Sequence, residues 1–316
     1  MAASGQNQND LNRDLGLGSR VADQSTQRFL NRDGSFNVRR HGLSYFRSLN
    51  PYHALLTISW AKFFLLVAAS YFVTNIVFAL LYMLCGPDAL HGMEGYTLQQ
   101  TFLEEFFFSV QTLATIGYGR VSPNNMAANI VVTLEALVGL LGFALATGLL
   151  FARFSRPNAS IIFSRNAIVA PYRNGKGLMF RIANGSTNEL IEVNATVTLS
   201  RTEVDQSGKR VRKFYPLTLE REKVVFFPLQ WVIVHPIDEA SPLNGITKEQ
   251  FDMSQAEILI LLTAVDETFF QPVHSRSSYR HDEIAWEVKF SDMFMQDDEG
   301  KLSIDLRKIH DVDVVR

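Results

Sequence analysis

The sequence predicts a membrane protein with two domains: an α-helical domain of two transmembrane helices plus a re-entrant helix, then an all-β, immunoglobulin-like sandwich. Three observations predict this fold class. Two long apolar segments lie near residues 63–85 and 130–152. A short glycine-containing motif lies between them. Beyond residue 158, short β-rich segments alternate with turn residues, as in a sandwich of antiparallel sheets.

The composition changes along the 316 residues and divides the chain into three parts. Residues 1–35 are rich in Asn, Gln, Ser, Asp and Gly, and such a segment buries too little apolar surface to become ordered. We therefore expect a disordered tail at residues 1–35, a membrane domain at 36–157 and a β domain at 158–316. The net charge of −2 gives no support for nucleic-acid binding. The single cysteine, Cys85, excludes an intrachain disulfide.

Each apolar segment is long enough to cross a bilayer, which takes about 20 residues. Residues 63–85 contain no charged side chain, and residues 130–152 contain only Glu135. Lys and Arg are frequent before the first span and after the second, whereas Arg120 alone lies between them. This distribution predicts a multi-pass protein of the cell membrane with both termini in the cytoplasm.

Residues 48–60, ahead of the first span, mix Leu, Tyr and Trp with few charges. Pro51 is suited to start a helix, and one face would then carry Tyr52, Leu55, Leu56 and Trp60. Two interpretations are open. The segment is either an amphipathic helix along the inner membrane surface or a helical extension of the first span.

Between the spans, residues 98–113 are rich in phenylalanine and predict a short re-entrant helix that ends just before the motif. Its C-terminal end, with a partial negative charge, would favour a cation near the membrane centre. The motif that follows is Thr115, Ile116, Gly117, Tyr118 and Gly119.

This motif resembles the selectivity filter of a potassium channel. Successive carbonyls point to one axis only if the backbone alternates in handedness, and Gly117 and Gly119 reach left-handed conformations at little steric cost. Four copies of such a segment would replace the hydration shell of a K⁺ ion. Thr115 would add a hydroxyl oxygen at the inner end, and Ile116 and Tyr118 would brace the loop.

Several separated segments resemble the inward-rectifier potassium channels, and most closely their bacterial branch. They are Ser59-Trp60 at the entry of the first span, FFFSVQTLATIGYG (106–119), TLEALVGLLGFALATGLLFARFSRP (133–157), WVIVHPIDEASPL (231–243) and SRSSYRHDEIAW (275–286). The resemblance covers roughly residues 36–310. It implies a homotetrameric, potassium-selective channel with a two-span pore and a cytoplasmic sandwich. K⁺ ions in the filter would be its only bound ions, with no other cofactor and no enzymatic activity.

The resemblance also implies roles in the second span. Phe151 falls at the gate position, where four rings would exclude water, although it could instead face lipid or another helix. Phe143 would line the cavity where many relatives carry an acidic residue, so we expect weak rectification. Gly139, Gly142 and Gly148 could let the helix bend, and Gly139 and Gly148 are the hinge candidates, but small residues also serve close packing.

Two further residues are candidates for supporting the filter, and a third is a candidate for concentrating cations at the cytoplasmic entrance of the pore. Glu135 is either bonded to the re-entrant helix behind the filter or a structural acid near the outer interface. Gln111 stands where many relatives brace the filter with a glutamate ion pair, and it can only hydrogen-bond. Glu192 matches a position lining the cytoplasmic vestibule, where carboxylates concentrate cations; the alternative is a solvated surface residue.

Basic residues near the inner ends of the spans are candidates for binding anionic lipids, at about 1 kcal/mol each. The resemblance implies that phosphoinositide-type or other anionic lipids modulate gating, whereas membrane topology alone would also place positive residues there. The candidates are Arg39, Arg40, Arg47, Lys62, Arg153 and Arg156.

Two other interpretations of the chain are open. One is another potassium-channel type, but no span with Arg at every third position precedes the pore, so a voltage sensor is not predicted. The other is a membrane-anchored β-sandwich receptor that does not conduct. An enzyme is not predicted, because no convincing nucleophile–base or metal-ligand spacing occurs.

The segments expected to form strands are 161–169, 178–183, 193–199, 224–234, 258–265 and 284–290.

Overall fold

The structure is a computed structural model that describes residues 28–37, 50–94, 97–156, 160–227, 229–296 and 302–315. The chain divides into two compact units. Residues 41–156 form the helical unit, and residues 1–40 together with 157–316 form the β unit. Most of the predicted tail and three lipid-binding candidates, Arg39, Arg40 and Arg47, lie outside the described residues.

The helical unit contains α1 (Pro51–Thr57), α2 (Trp60–Leu84), α3 (Leu98–Leu113) and α4 (Met126–Phe154). Among the described helices, α2 and α4 are the two that are long and apolar enough to cross a membrane. With 25 and 29 residues and a rise of about 1.5 Å per residue, each exceeds the ~30 Å hydrocarbon core. Helix α3 coincides with the predicted re-entrant helix.

Helix α1 is separate from the first span. The Asn50 side chain caps it by accepting from the backbone N–H of His53 at 3.1 Å, and its end is marked by extended backbone at Ile58 and Ser59. The continuous extension considered above is therefore wrong. Trp60 begins α2 and does not belong to the face of α1.

Side-chain caps fix the starts of α3 and α4. Thr97 and Gln100 form a reciprocal capping box at the start of α3. Asn125 accepts from the backbone N–H of Ala128 at 2.8 Å and donates its amide to the carbonyl of Cys85 at 3.0 Å. The end of α2 is thereby joined to the start of α4. A two-residue ladder between β1 (Leu90–His91) and β2 (Ser122–Pro123) joins the loops on either side of α3.

The β unit is a sandwich. One sheet runs in the order β11-β10-β6-β7 with β8 also on β6, and the other in the order β12-β4-β5-β3 with β9 also on β5, counting only described strands. The bounds are β3 Ile161–Phe163, β4 Ala167–Tyr172, β5 Gly175–Asn184, β6 Leu190–Val204, β7 Arg210–Leu217, β8 Lys223–Phe227, β9 Gln230–Ile237, α5 Lys248–Met253, β10 Glu257–Asp266, β11 Gln271–Arg280, β12 Ile284–Trp286, β13 Val288–Phe290, β14 Phe294–Gln296, β15 Leu302–Ile304 and β16 Val312–Val314.

The sandwich core comes from alternate residues of facing strands, as the two-residue period of a β-strand requires. Strand β5 contributes three buried residues to the core cluster and β10 contributes four, all in one contiguous group: Leu178, Phe180, Ile182, Ile258, Ile260, Leu262 and Ala264. The predicted segments 161–169, 224–234 and 284–290 each split into two strands. In the β unit, strands β7, β11, β14, β15 and β16 were not predicted.

Residues 28–37 pack on the sandwich, so the structure differs from the predicted disordered tail over residues 28–35. Phe29 and Leu30 are buried, and their backbone N–H groups donate to the Glu257 carboxylate at 3.0 and 3.3 Å. Arg28 forms an ion pair with Glu283 at 3.0 Å. Phe29 and Leu30 therefore anchor residues 28–37 to the sandwich, although the average composition of residues 1–35 is polar.

Candidate ion-conduction site

The backbone of residues 115–119 alternates in handedness. φ is +58° at Thr115, +59° at Gly117 and +81° at Gly119, whereas Ile116 and Tyr118 do not have positive φ. The expected left-handed conformation is thus present at both glycines. Thr115 adopts it too, although a side chain makes this region unfavourable by roughly 1–2 kcal/mol. Such alternation aims successive carbonyls toward the same side of the segment.

The segment is anchored to the end of α3 through backbone hydrogen bonds. The carbonyl of Gln111 accepts from the N–H of Ile116 at 2.7 Å and from that of Gly117 at 3.4 Å, and Thr115 N–H donates to the Thr112 carbonyl at 3.0 Å. Gln111 therefore supports the segment through its main chain. This support does not require a carboxylate side chain at residue 111.

Much of the helical unit's exposed surface is apolar. In the single chain Tyr118 is 76% exposed, Phe143 is 76% exposed and Phe151 is 72% exposed. A Cβ atom added to Gly117 or Gly119 would meet nothing within 4 Å. One chain alone thus leaves the motif and the predicted cavity-lining face of α4 uncovered.

Behind α3 lies a fully buried polar cluster that includes Glu135. The Tyr82 hydroxyl and the Ser109 hydroxyl each form a hydrogen bond with one oxygen of the Glu135 carboxyl group. Ser109 also contacts Asn75 Oδ1 at 3.0 Å. Glu135 on α4 is therefore bonded to the re-entrant helix and to the first span, as the first of the two interpretations predicts.

Gly139 is a close-packing position. A Cβ atom there would lie 2.5 Å from the Leu113 carbonyl oxygen, at the last residue of α3. Gly142 and Gly148 have open space around the same position. Packing accounts for the glycine at residue 139, while a hinge at Gly148 stays a prediction.

Arg153 does not have the free guanidinium expected of a lipid-binding residue. It is 9% exposed, and it donates to the backbone carbonyls of Leu55 and Ile58. Its guanidinium carbon lies 4.5 Å from the ring centre of Trp60 and 4.6 Å from that of Phe63. Arg153 fastens the α1–α2 corner to the end of α4. Two other candidates, Lys62 and Arg156, are exposed.

Two further charged residues have partners in the same chain. Arg120, next after the motif, lies 3.7 Å from Glu104 and 3.9 Å from Glu94. The carboxylate of Glu192 lies 3.1 Å from the Lys223 ammonium group, with both side chains about half exposed. The negative charge expected at residue 192 is therefore partly offset within its own chain.

Sequence reasoning missed the partners of Glu135 and the contacts of Arg153. Asn75 and Tyr82 carried a usable signal, because they are polar residues seven apart in an apolar span and so share one helix face. Polar groups in a span generally face protein and not lipid. Ser109 and the carbonyls that receive Arg153 carry no comparable signal. Within the described residues, no cluster of His, Cys, Asp or Glu is arranged to hold a metal.

Two membrane-spanning helices, a re-entrant helix and an alternating backbone segment define a subunit of the two-span channel class. The model for the inward rectifier potassium channel C-terminal domain matches residues 161–316, and the ion channel model matches residues 57–156. Over 286 residues the chain is 43% identical to inward rectifier potassium channel Kirbac3.1 of Paramagnetospirillum magnetotacticum, covering 90% of this chain and 95% of that one.

Animal relatives are more distant. The chain is 26% identical to ATP-sensitive inward rectifier potassium channel 12 of Bos taurus, covering 90% of this chain and 71% of that one. It is 27% identical to G protein-activated inward rectifier potassium channel 3 of Mus musculus, covering 90% and 77%. The chain belongs to the inward rectifier potassium channel family. It is a multi-pass membrane protein and a potassium channel, not an enzyme.

Proposed function

We propose that four copies of this chain surround one axis and pass K⁺ through rings of backbone oxygens at residues 115–119. The alternation of φ at Thr115, Gly117 and Gly119 carries this proposal, because it gives each chain a row of carbonyls facing one side. A single chain supplies one oxygen at each level, so a homotetramer is needed to replace the water around the ion. The exposed motif supports assembly around an axis.

The gate is proposed at Phe151 and the cavity lining at Phe143. Both rings are largely exposed in the single chain, and they lie about 12 Å apart along α4. Four Phe151 rings drawn together would exclude water and block ions. Four Phe143 rings offer no carboxylate to attract blocking cations from the cytoplasm, so rectification is weak.

Anionic lipids, phosphoinositides among them, are proposed to act on the basic residues near the inner ends of the spans. Lys62 and Arg156 are exposed and belong to this group, and Arg39, Arg40 and Arg47 join them in the proposal. Arg153 is excluded, because its guanidinium is already bonded to carbonyls and stacked on rings. The proposal places both termini in the cytoplasm and Glu192 near the vestibule, where Lys223 weakens its attraction for cations.

Flux into liposomes tests this function. Purified protein should form a tetramer and pass K⁺ at least about tenfold faster than Na⁺, a difference of about 1.4 kcal/mol in barrier height, and Ba²⁺ should block the flux. Removing anionic lipid should change the flux through wild type, and Arg156→Gln should reduce that response. A monomer, or equal K⁺ and Na⁺ flux, would contradict the proposal. A folded tetramer without any flux would favour the non-conducting receptor.

A further inference from the structure

The buried cluster behind α3 contains more oxygen–oxygen contacts than its hydroxyl groups can serve. Three contacts each need one hydrogen: Tyr82 with Glu135, Ser109 with Glu135, and Ser109 with Asn75 Oδ1. Tyr82 and Ser109 supply one hydroxyl hydrogen each. The third hydrogen has to come from another member of the cluster.

The Asn75 amide does not supply it. Its Nδ2 group donates to the backbone carbonyl of Tyr71 at 2.8 Å. Reversing the amide would set Oδ1 against that carbonyl, two acceptors facing each other. Oδ1 therefore faces Ser109, and the Ser109 hydroxyl hydrogen must be directed at Asn75.

We infer that Glu135 is a neutral carboxylic acid that donates from Oε1 to Ser109 and accepts at Oε2 from Tyr82. With this proton in place, every contact in the cluster has one donor and one acceptor. The hydrogen bonds then run in one direction, from Glu135 to Ser109 and on to Asn75, and bonds in such a chain strengthen one another. An ionised Glu135 would leave either its own Oε1 or Asn75 Oδ1 facing a lone pair.

The surroundings of Glu135 favour the neutral form. Glu135, Tyr82, Ser109 and Asn75 are all fully buried. Within the described residues Glu135 makes its polar contacts with hydroxyl groups, and no Lys or Arg there forms an ion pair with it. A buried, unpaired carboxylate is costly, and protonation removes that cost.

The acid acts as a positioning residue that joins α2, α3 and α4 behind the candidate filter. Ser109 lies two residues before Gln111, whose carbonyl holds Ile116 and Gly117. This consequence for selectivity rests on the proposed function, whereas the protonation state does not. Glutamine at residue 135 can both donate and accept, so it reproduces the neutral acid but not a carboxylate.

Infrared difference spectra of the reconstituted channel test the protonation state. Wild type minus Glu135→Gln should show the carbonyl stretch of a protonated carboxylic acid, and Tyr82→Phe should shift that band to higher wavenumber by removing one hydrogen bond. Glu105 is another buried acid with an unpaired oxygen, so Glu105→Gln is the matched control, which should leave the Tyr82-sensitive band in place. Carboxylate bands in the difference spectrum, or no response to Tyr82→Phe, would overturn the inference.

Flux tests the positioning role. Glu135→Gln should keep K⁺ flux within about threefold of wild type and keep K⁺ over Na⁺ selectivity, whereas Glu135→Ala should lose selectivity. A folded tetramer of Glu135→Gln that loses selectivity while wild type conducts would refute this role. If wild type itself does not conduct, the proposed function fails, and the infrared bands still decide the protonation state of Glu135.

Discussion

Three positive φ angles, at Thr115, Gly117 and Gly119, determine what the candidate filter can do at the scale of single residues. They turn consecutive carbonyls to one side of the chain, whereas the carbonyls of a helix point along its axis and those of a strand alternate between two sides. Two glycines adopt this backbone at low cost. Thr115 adopts it despite its side chain. The backbone N–H groups of Thr115, Ile116 and Gly117 all donate to carbonyls at the end of α3.

Gly117→Ala should therefore damage conduction without a steric clash. A Cβ atom at residue 117 meets nothing within 4 Å in the single chain, so the change adds left-handed strain of roughly 1–2 kcal/mol in each subunit. We expect K⁺ flux to fall at least about tenfold in liposome uptake measurements.

A matched control exists in the β unit. Gly208 has φ of +80° and equally open space around its Cβ position. Gly208→Ala should add the same kind of strain to the turn between β6 and β7 and lower thermal stability, with selectivity unchanged. Equal flux through wild type and Gly117→Ala would contradict the role given to the left-handed backbone.

Gly139→Ala should distinguish packing from bending in α4. The added methyl group would press on the Leu113 carbonyl at the end of α3, and overpacking of this kind typically costs about 1–3 kcal/mol. We expect a lower melting temperature for the tetramer and reduced flux. Gly148→Ala, with open space, serves as the comparison. A hinge would give the reverse order, with stability unchanged by Gly139→Ala and gating altered by Gly148→Ala.

At the scale of secondary-structure elements, the corner between α1 and α2 depends on one side chain of α4. Arg153 bonds two carbonyls that the end of α1 leaves without helical partners, and its planar group stacks on Trp60 and Phe63. The end of α4, next to Phe151, is thereby structurally coupled to α1. Charge alone does not provide this coupling, because the fork of donors and the flat face of the guanidinium both matter.

Arg153→Lys tests this coupling because it keeps the charge and removes the fork. We expect a loss of stability of about 1.5–3 kcal/mol, the usual value of hydrogen bonds to a charged group, measured by thermal denaturation in detergent. Arg156→Lys, on an exposed neighbour, should behave as wild type. If Arg153 acted only as a lipid-binding charge, Arg153→Lys would leave the stability unchanged, because lysine keeps that charge.

The elements with strong periodic or capping signals were predictable from sequence. Both spans followed from apolar length and from the near absence of charge, and helix α3 followed from its phenylalanine-rich sequence just before the motif. Strand β11 was not predictable, because its Ser- and Arg-rich sequence forms a strand only through its ladder with β10. Likewise Phe29 and Leu30 are ordered by the Glu257 carboxylate, a partner more than 200 residues away.

The candidate site was also only partly predictable from the sequence. The motif and Glu135 were visible because glycine spacing and a charge inside a span are local features of the sequence. The carbonyl partners of Arg153 and the proton count around Glu135 depend on which helices meet, and no local pattern records this. Backbone groups such as the Gln111 carbonyl are invisible to side-chain reasoning altogether.

At the scale of the whole molecule, the β unit contains a buried histidine, His235, which should make the stability of this unit depend on pH. The ring of His235 contacts the Thr218 carbonyl at 2.6 Å through Nδ1 and the Ser241 hydroxyl at 2.8 Å through Nε2. Burial lowers the pKa of His235 below its ordinary value. Burial, together with the nearby Arg165, lowers the pKa of His310 as well.

Because the folded form resists protonation, the unfolded chain binds more protons below the ordinary histidine pKa of about 6.5. Above that pH these two histidines should not change the free energy of unfolding. Below it, the free energy of unfolding should fall as the pH drops toward the lowered pKa values of the folded state. Chemical denaturation at a series of pH values measures the slope, and His235→Asn should flatten it. A wild-type slope identical to that of His235→Asn would show that this ring does not contribute.

The central claim is that four rows of backbone oxygens replace the water around K⁺. Anomalous diffraction from crystals of the tetramer grown with Rb⁺ or Tl⁺ tests it most directly. We expect a file of peaks on the fourfold axis, level with residues 115–119, that disappears when Na⁺ replaces the heavier ion. Peaks absent from that axis, or unchanged in Gly117→Ala crystals, would contradict the claim.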